Sequence, residues 1–233
     1  MKQRKIIVCK DSEALTLWTA ERWVQLAAHA IQSNNRFTVA LAGGSTPKSL
    51  YALLATPQWS AQVAWDKVHL FWGDERHVAP NSSDSNFRMV NEALLQHLAI
   101  PAENVHRVRG EEESAERAAL NYEQELREFF VLEVGARPRF EHDFAGPRAR
   151  WPTASLFPGS EEALRETRRL VVAPWVEKFS AHRMTITLPV INNAAEVFFL
   201  ASGPEKATKI REVLGPLSDP LFLRNLSNHC TAN

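Results

Sequence analysis

An α/β domain built on a parallel sheet is the fold class this sequence predicts, and three observations predict it. Short apolar runs of strand length alternate with stretches of helical period. The connections between them are short. Glycine-rich or charged loops follow the apolar runs, where the carboxyl ends of parallel strands would lie. The 233 residues, 45% hydrophobic and 23% charged, suffice for a substantial core.

The elements follow in order. Ile6, Ile7 and Val8 read as a short strand. Leu17, Val24, Ala28 and Ile31 recur at helical spacing, which predicts an amphipathic helix with Ser12 as its candidate cap. Phe37 to Ala42 reads as a strand, followed by Gly-Gly-Ser-Thr-Pro, with a helix from Pro47 to Ala55. Val68 to Trp72 is a strand ending in Gly-Asp-Glu-Arg, and Asp84 to roughly Leu98 a helix. Ala115, Ala119, Tyr122, Leu126 and Phe129 form the apolar stripe of a long helix starting at Ser114. Met184 to Leu188 and Val197 to Ala201 are later strands, and Pro204 opens a last helix at a tolerated first-turn position. No internal repeat, low-complexity linker or shift in composition marks a domain boundary, so one domain over residues 1–233 is expected.

Charge and composition exclude several classes. Formal net charge is zero, which leaves no basic excess for nucleic acid. No apolar run approaches the ~18 residues of a membrane span, and MKQRKIIVCK lacks the apolar run of a signal peptide. Cys9 and Cys230 make no disulfide framework, and the eight histidines lack ligand spacing. The reading is a soluble cytoplasmic protein without metal, membrane, nucleic-acid or protein partner.

Two loops fall where an open α/β sheet places its site. In LAGGSTP, Gly43 and Gly44 permit a tight turn, Ser45 and Thr46 supply hydroxyls, and the following helix offers free N–H groups. Phosphate cradle and ordinary capped turn are equally good readings of that pattern. In FWGDERHV, Asp74, Glu75, Arg76 and His77 put four ionisable groups at a strand end. Arg76 could fork onto a phosphate, and Asp74 or Glu75 could do proton work or hold hydroxyls. A solvated surface turn is the bland alternative, and Trp72 is better read as core than as a stacking platform. Arg183 before one strand and Lys206 after another are candidate parts of a basic pocket, or solvated charges. The residues alone point to a small anionic ligand and leave the reaction open.

Four segments carry a resemblance: ALAGGSTPKSLYALLA, VHLFWGDERHVAPNSSDSNFRMVNEALL, TASLFPGSEEAL and ITLPVINNAAEVFFLASGPEKATKIREVL. In this order and spacing they resemble the 6-phosphogluconolactonase family over nearly the whole chain. The first loop is shared with related sugar-phosphate isomerases and deaminases; the second and third segments are more specific. The resemblance implies a single doubly wound, mostly parallel, Rossmann-like sheet with helices on both faces. It implies no cofactor, and hydrolysis of 6-phospho-D-glucono-1,5-lactone to 6-phospho-D-gluconate in the oxidative pentose phosphate pathway. It places Gly43, Gly44, Ser45, Thr46 and Arg76 near the phosphate or sugar, with Arg183 and Lys206 as helpers. Asp74 and Glu75 are the candidate catalytic carboxylates.

The same resemblance expects a glycine-rich loop ending in Gly-Pro-Asp-Gly-His before Thr153, with the imidazole as general base. Here Arg150, Trp151 and Pro152 stand at its last positions. Glu141 to Pro152 keeps the family's length but not its character. Codons consistent with His142 to Trp151, read one base out of frame, permit Met-Ile-Leu-Leu-Gly-Leu-Gly-Pro-Asp-Gly. Residues 221–233 depart likewise, and a third frame permits a family-like tail, so the family's final strand is expected to be missing. As written, Glu141, His142 and Asp143 in a buried strand would cost several kcal/mol each if unpaired. That predicts a displaced or solvent-exposed segment, a damaged sheet and little or no lactonase activity. The alternative reading is a sugar-phosphate-binding remnant without its base.

Resequencing the coding region tests the reading-frame explanation. The expected codons for residues 141–152 spell Gly-Pro-Asp-Gly when shifted by one base; codons that cannot do so rule it out.

Overall fold

The structure is a computed structural model that describes residues 5–145, 155, 156, 160–203 and 206. In chain order the described elements are α1 (Ser12–Asn34), β1 (Phe37–Leu41), α2 (Ser45–Leu54), α3 (Pro57–Ser60), β2 (Val68–Trp72), β3 (Asp74–Arg76), α4 (Asn86–Ala93), β4 (Val105–His106), α5 (Ala115–Phe129), β5 (His142–Ala145), α6 (Glu161–Arg165), β6 (Val171–Val172), β7 (Trp175–Val176), β8 (Ala181–Ile186), α7 (Leu188–Asn193) and β9 (Glu196–Phe199). Five strands form a parallel sheet in the order β4-β2-β1-β5-β9. The chain runs outward from β1 to β2 and β4, then returns to the other side of β1 for β5 and β9. This reversal is the switch point at which open sheets bind ligands, beyond the carboxyl ends of β1 and β5. A second, antiparallel sheet joins β3, β8 and β6, with β7 also paired to β8.

Side-chain alternation explains the two helical layers. Phe37, Val39 and Leu41 face one side of β1, level with Val68, Leu70 and Trp72 of β2. The Trp23 ring of α1 meets the Phe37 ring edge-on at 5.7 Å on that side. Phe71 points the other way and packs against Phe129 of α5, Phe130 and Phe140. The two tyrosines of these layers reach the strand ends: Tyr51 OH bridges the N–H and C=O of Ala42, and Tyr122 OH those of Trp72. Both hydroxyls are fully buried, which pushes their pKa values upward.

Several elements differ from the sequence reading. Residues 6–8 form no strand, and Val8 is 37% exposed. On α1 the buried stripe is Thr19, Ala20, Trp23, Ala27 and Ala30; of the expected face, Val24 and Ile31 are half-buried against the core while Leu17 and Ala28 are exposed, because Trp23 fills the space between Phe37 and Trp65. The cap is Asp11, whose Oδ1 accepts from Ala14 N at 2.8 Å, rather than Ser12. The α4 helix ends at Ala93, with a tighter turn at Leu95–His97. Strand β8 stops at Ile186, and Leu188 opens α7. On α5 the expected stripe is buried from Ala115 to Leu126 and half-buried at Phe129, with Ser114 as its cap. The helix at Pro204 and the tail at 221–233 lie outside the described residues.

The largest correction concerns β5. His142 and Asp143 are neither displaced nor exposed: they are 0% and 2% exposed, in register with Val39 and Ala40 of β1 and Glu196 and Val197 of β9. Glu141, just before the strand, accepts from Thr38 N at 2.9 Å, from Thr38 Oγ1 and from Asn34 Nδ2. The paired backbone holds the strand in place, and the side chains adjust by protonation. Burial, reinforced by Arg22, lowers the His142 pKa to about 3, so its imidazole is neutral against the Phe198 ring, 4.0 Å away. Burial, reinforced by Asp74, raises the Asp143 pKa to about 7. Residues 146–152 lie outside the described residues.

These shifts fix a pH dependence. Folded Asp143 keeps a proton that the unfolded chain releases near the ordinary 3.8, so stability falls as pH rises toward 7. Folded His142 refuses a proton that the unfolded chain takes up below 6.5, so stability falls as pH drops toward 3. Between about 4 and 6.5 the two slopes oppose each other. Asp143→Asn removes only the first. It should gain roughly 2–4 kcal/mol at pH 8 and lose stability steadily on acidification, as read from urea midpoints between pH 4 and 8. Midpoints unchanged at pH 8 would show that Asp143 carries no such penalty.

Candidate active site

The loop after β1 and the strand after β2 meet through one side chain, Asn86. Its Nδ2 donates to Asp74 O at 2.7 Å and to Asp74 Oδ1 at 3.2 Å. Its Oδ1 occupies the space where a Cβ on Gly43 would stand, 2.0 Å away, so position 43 accepts only glycine while Asn86 is there. Gly44 has φ +110° and turns the chain into α2, whose first turn has no side-chain cap among the described residues. Ser45 is exposed and Thr46 half-buried on that turn.

Glu75 holds Asn86 in place. Its Oε1 accepts from Asn86 N at 2.7 Å and from Arg76 N at 2.8 Å; its Oε2 accepts from Phe87 N at 2.7 Å and from Ser85 Oγ at 3.1 Å. The carboxylate thus sits on the amino end of α4, where the backbone offers unpaired N–H groups and a positive dipole end. Burial raises its pKa, against the backbone hydrogen bonds that lower it.

Strand β3 sorts the charged cluster onto two faces. It pairs antiparallel with β8: Asp74 opposite Thr185, Glu75 opposite Met184, Arg76 opposite Arg183. Alternation puts Asp74, Arg76, Arg183 and Thr185 on one face and Glu75 on the other. Ser155 joins the first face: its Oγ donates to Asp74 Oδ2 and its N–H donates to Thr185 Oγ1 at 3.2 Å. The solvated turn is therefore ruled out, since Asp74 and Glu75 are 1% and 2% exposed. Arg76 is half-buried and donates through Nη1 to Asp84 O. Arg183 is buried, its guanidinium 4.5 Å from the centroid of Phe179. His77 turns away to the Glu112 carbonyl at 2.9 Å, and Trp72 packs in the core against Phe87.

The structure thus brings together Gly43, Asp74, Glu75, Arg76 and Arg183. Ser45, Thr46 and Lys206 make no side-chain hydrogen bond to this network among the described residues; the Lys206 N–H bonds to Gly203 O at 3.2 Å. Sequence reading missed Ser85, Asn86, Asp143, Ser155 and Thr185. Asn86 had a signal, as the residue after a Ser cap in a polar run before an apolar helix; Thr185, on an apolar strand, had none. Among the described residues no cluster of His, Cys, Asp and Glu could hold a metal ion, and no helix is long and apolar enough to cross a membrane.

Comparison with known proteins bears on what this arrangement does. A family model described as glucosamine-6-phosphate isomerases/6-phosphogluconolactonase matches residues 10–224. A 6-phosphogluconolactonase of Nostoc sp. is 37% identical over 219 residues, covering 94% of this chain and 88% of its own. One from Synechocystis sp. is 39% identical over 191 residues, covering 82% and 77%. The solved 6-phosphogluconolactonase from Trypanosoma cruzi superposes with a TM-score of 0.82 at 28% identity, covering 96% of this chain and 91% of that one.

The Glu75 cap makes a stability prediction. Glu75→Gln turns an amide NH2 toward donors and removes the charge from the α4 terminus, so it should cost about 2–4 kcal/mol. A urea-unfolding midpoint equal to the parent's would show that the cap is dispensable.

Proposed function

The chain belongs to the glucosamine-6-phosphate isomerase/6-phosphogluconolactonase family, and from that premise we propose that it hydrolyses 6-phospho-D-glucono-1,5-lactone to 6-phospho-D-gluconate, in the cytoplasm and without a cofactor. The observation that carries this reading is the shared face of β3 and β8. Arg76 and Arg183 stand opposite each other at one end, and Asp74 with Ser155 two residues along. Two residues of strand span about 7 Å, comparable to the reach from the phosphate of a six-membered lactone ester to its carbonyl. The arginine pair suits the dianionic phosphate, with the Gly43–Thr46 turn and Lys206 as further contacts. The Asp74 end then lies at the lactone carbonyl.

Hydrolysis requires water to add to the carbonyl carbon, a proton to leave that water, and the ring oxygen to depart as a hydroxyl. Asp74 is the carboxylate assigned to orient the water and accept its proton, itself fixed by Asn86 and Ser155. Glu75, with four donors already on its two oxygens, is assigned to positioning. The imidazole that the resemblance expects is replaced by Pro152. A carboxylate is a weaker base than imidazole, so turnover should be slower than with an imidazole there, yet above the spontaneous rate.

Lactone opening by purified protein, followed against buffer alone, is the test. Catalysis above the background is expected, with kcat/KM falling about 10- to 100-fold in Arg76→Ala. Opening no faster than buffer would overturn the hydrolytic reading. If 6-phosphogluconate still bound, a binding remnant would remain.

A further inference from the structure

Glu125 of α5, His106 of β4 and His69 of β2 form a hydrogen-bonded row toward the amino ends of the parallel strands. Glu125 Oε1 is 2.8 Å from His106 Nδ1, and His106 Nε2 is 3.3 Å from His69 Nδ1. Hydrogen bonding fixes the order of hydrogens along the row. An ionised carboxylate only accepts, so His106 Nδ1 carries a hydrogen. A neutral imidazole has one N–H, so His106 Nε2 accepts and His69 Nδ1 donates. His69 Nε2 is then left with a lone pair. His69 is half-buried and lines an open cavity of about 680 Å3 with Arg36, Asp66, Lys67 and Glu141, so water can bring a proton to this end of the row.

The surroundings decide where the charge of an added proton rests. His106 has the Glu125 carboxylate in contact, and its ring stacks on Phe71 at 4.2 Å and meets Phe129 edge-on at 4.8 Å. His69 has the other imidazole and Arg36 as neighbours, Arg36 itself lying over the Phe129 ring at 4.9 Å. Burial, His106 and Arg36 push the His69 pKa down to about 4, against Glu103, which raises it. Arg107, which also acts on Glu125 electrostatically, is held by Glu111 through two hydrogen bonds. Positive charge is thus better placed on His106 than on His69.

We propose that Glu125, His106 and His69 are a proton relay that acts as a pH-sensitive clamp of α5 on β2 and β4. A proton arriving at His69 Nε2 sends the bridging proton from His69 Nδ1 to His106 Nε2. His69 ends neutral, with its hydrogen moved to Nε2, and the charge rests on His106 beside Glu125. Acidification thereby turns a hydrogen bond between α5 and β4 into an ion pair. The same helix holds the carboxyl end of β2 through Tyr122 and Trp72, so the clamp acts on the strand that leads into β3. Two-bond proton–nitrogen correlation spectra of the full chain, labelled with 15N at histidine, locate each hydrogen from about pH 8 to about pH 5. At the alkaline end both His69 and His106 should carry hydrogen on Nδ1. On acidification His106 should become an imidazolium while His69 switches to Nε2–H, with one shared midpoint. Glu125→Gln keeps an acceptor for His106 Nδ1 without the charge. It should lower that midpoint by about one pH unit, with a melting temperature near the parent's at the alkaline end. Hydrogen on His69 Nε2 at the alkaline end, His69 charging before His106, separate midpoints, or a His106 still neutral at about pH 5 each overturns the relay. A midpoint unchanged in Glu125→Gln overturns the clamp.

Discussion

The Glu75 carboxylate, on the amino end of α4, is the contact on which the site hangs. A buried carboxylate is costly unless its oxygens are satisfied. Here two backbone N–H groups of the first helical turn, one of its own strand and a serine hydroxyl satisfy them. That fixes α4 relative to β3, which sets Asn86 against Gly43 and against both the backbone and side chain of Asp74. The glycine at position 43 is thus explained by a side chain 43 residues away in sequence, more than by the turn it opens. Without the cap, Asn86 would have no fixed position and the Gly43–Thr46 turn no floor.

Strand β5 shows a second constraint of the same kind, with the opposite balance. Its neighbour β1 is fixed by the core, and the edge strand β9 joins the sheet through β5 itself, so the slot beside β1 accepts a backbone before it selects side chains. Leaving that slot empty would strand the inner edges of both β1 and β9. Relative to the unfolded chain, Asp143 holds a proton in the sheet below about pH 7, while His142 enters neutral. Among the described residues Asp143 Oδ2 still has no hydrogen-bond partner, so protonation softens the penalty without abolishing it. The sheet survives this segment, but its middle is where the chain is least well matched to its fold.

Much of the fold was legible in the sequence because β1, β2 and α5 carry periodicities that burial reinforces: β2 occupies the residues read for it, and Ser114 caps α5. The site was legible in part. Asp74, Glu75 and Arg76 stood out as a charged cluster, but periodicity could not show that they form a strand, since three charged residues in a row carry no apolar alternation. Their partner strand β8 is more than 100 residues away, and only that pairing separates Asp74 and Arg76 from Glu75. Thr185 and Ser155 were illegible for the same reason: each matters through a tertiary contact that leaves no local pattern. The displacement expected for β5 failed because side-chain polarity was weighed without the backbone pairing that two flanking strands offer.

Recognition and chemistry draw on different parts of this chain. The face proposed to take a phosphate and a lactone ring comes from residues 74–76 and 183–185, with Asn86 and Ser155 as supports, and none of these lies between Glu141 and Pro152. The residues that would supply an imidazole all lie inside that interval. A change confined to residues 141–152 therefore removes directly only the imidazole that the resemblance expects, and reaches the β3 and β8 face, Asp74 included, through the seating of Asp143 near Asp74 and of Ser155 at the segment's far end. Substrate affinity and turnover should then respond separately to substitution. On the proposed reading Arg76 and Arg183 govern the first, and the second depends on whether the Asp74 carboxylate, held by Asn86 and Ser155, can take the proton that an imidazole would otherwise receive.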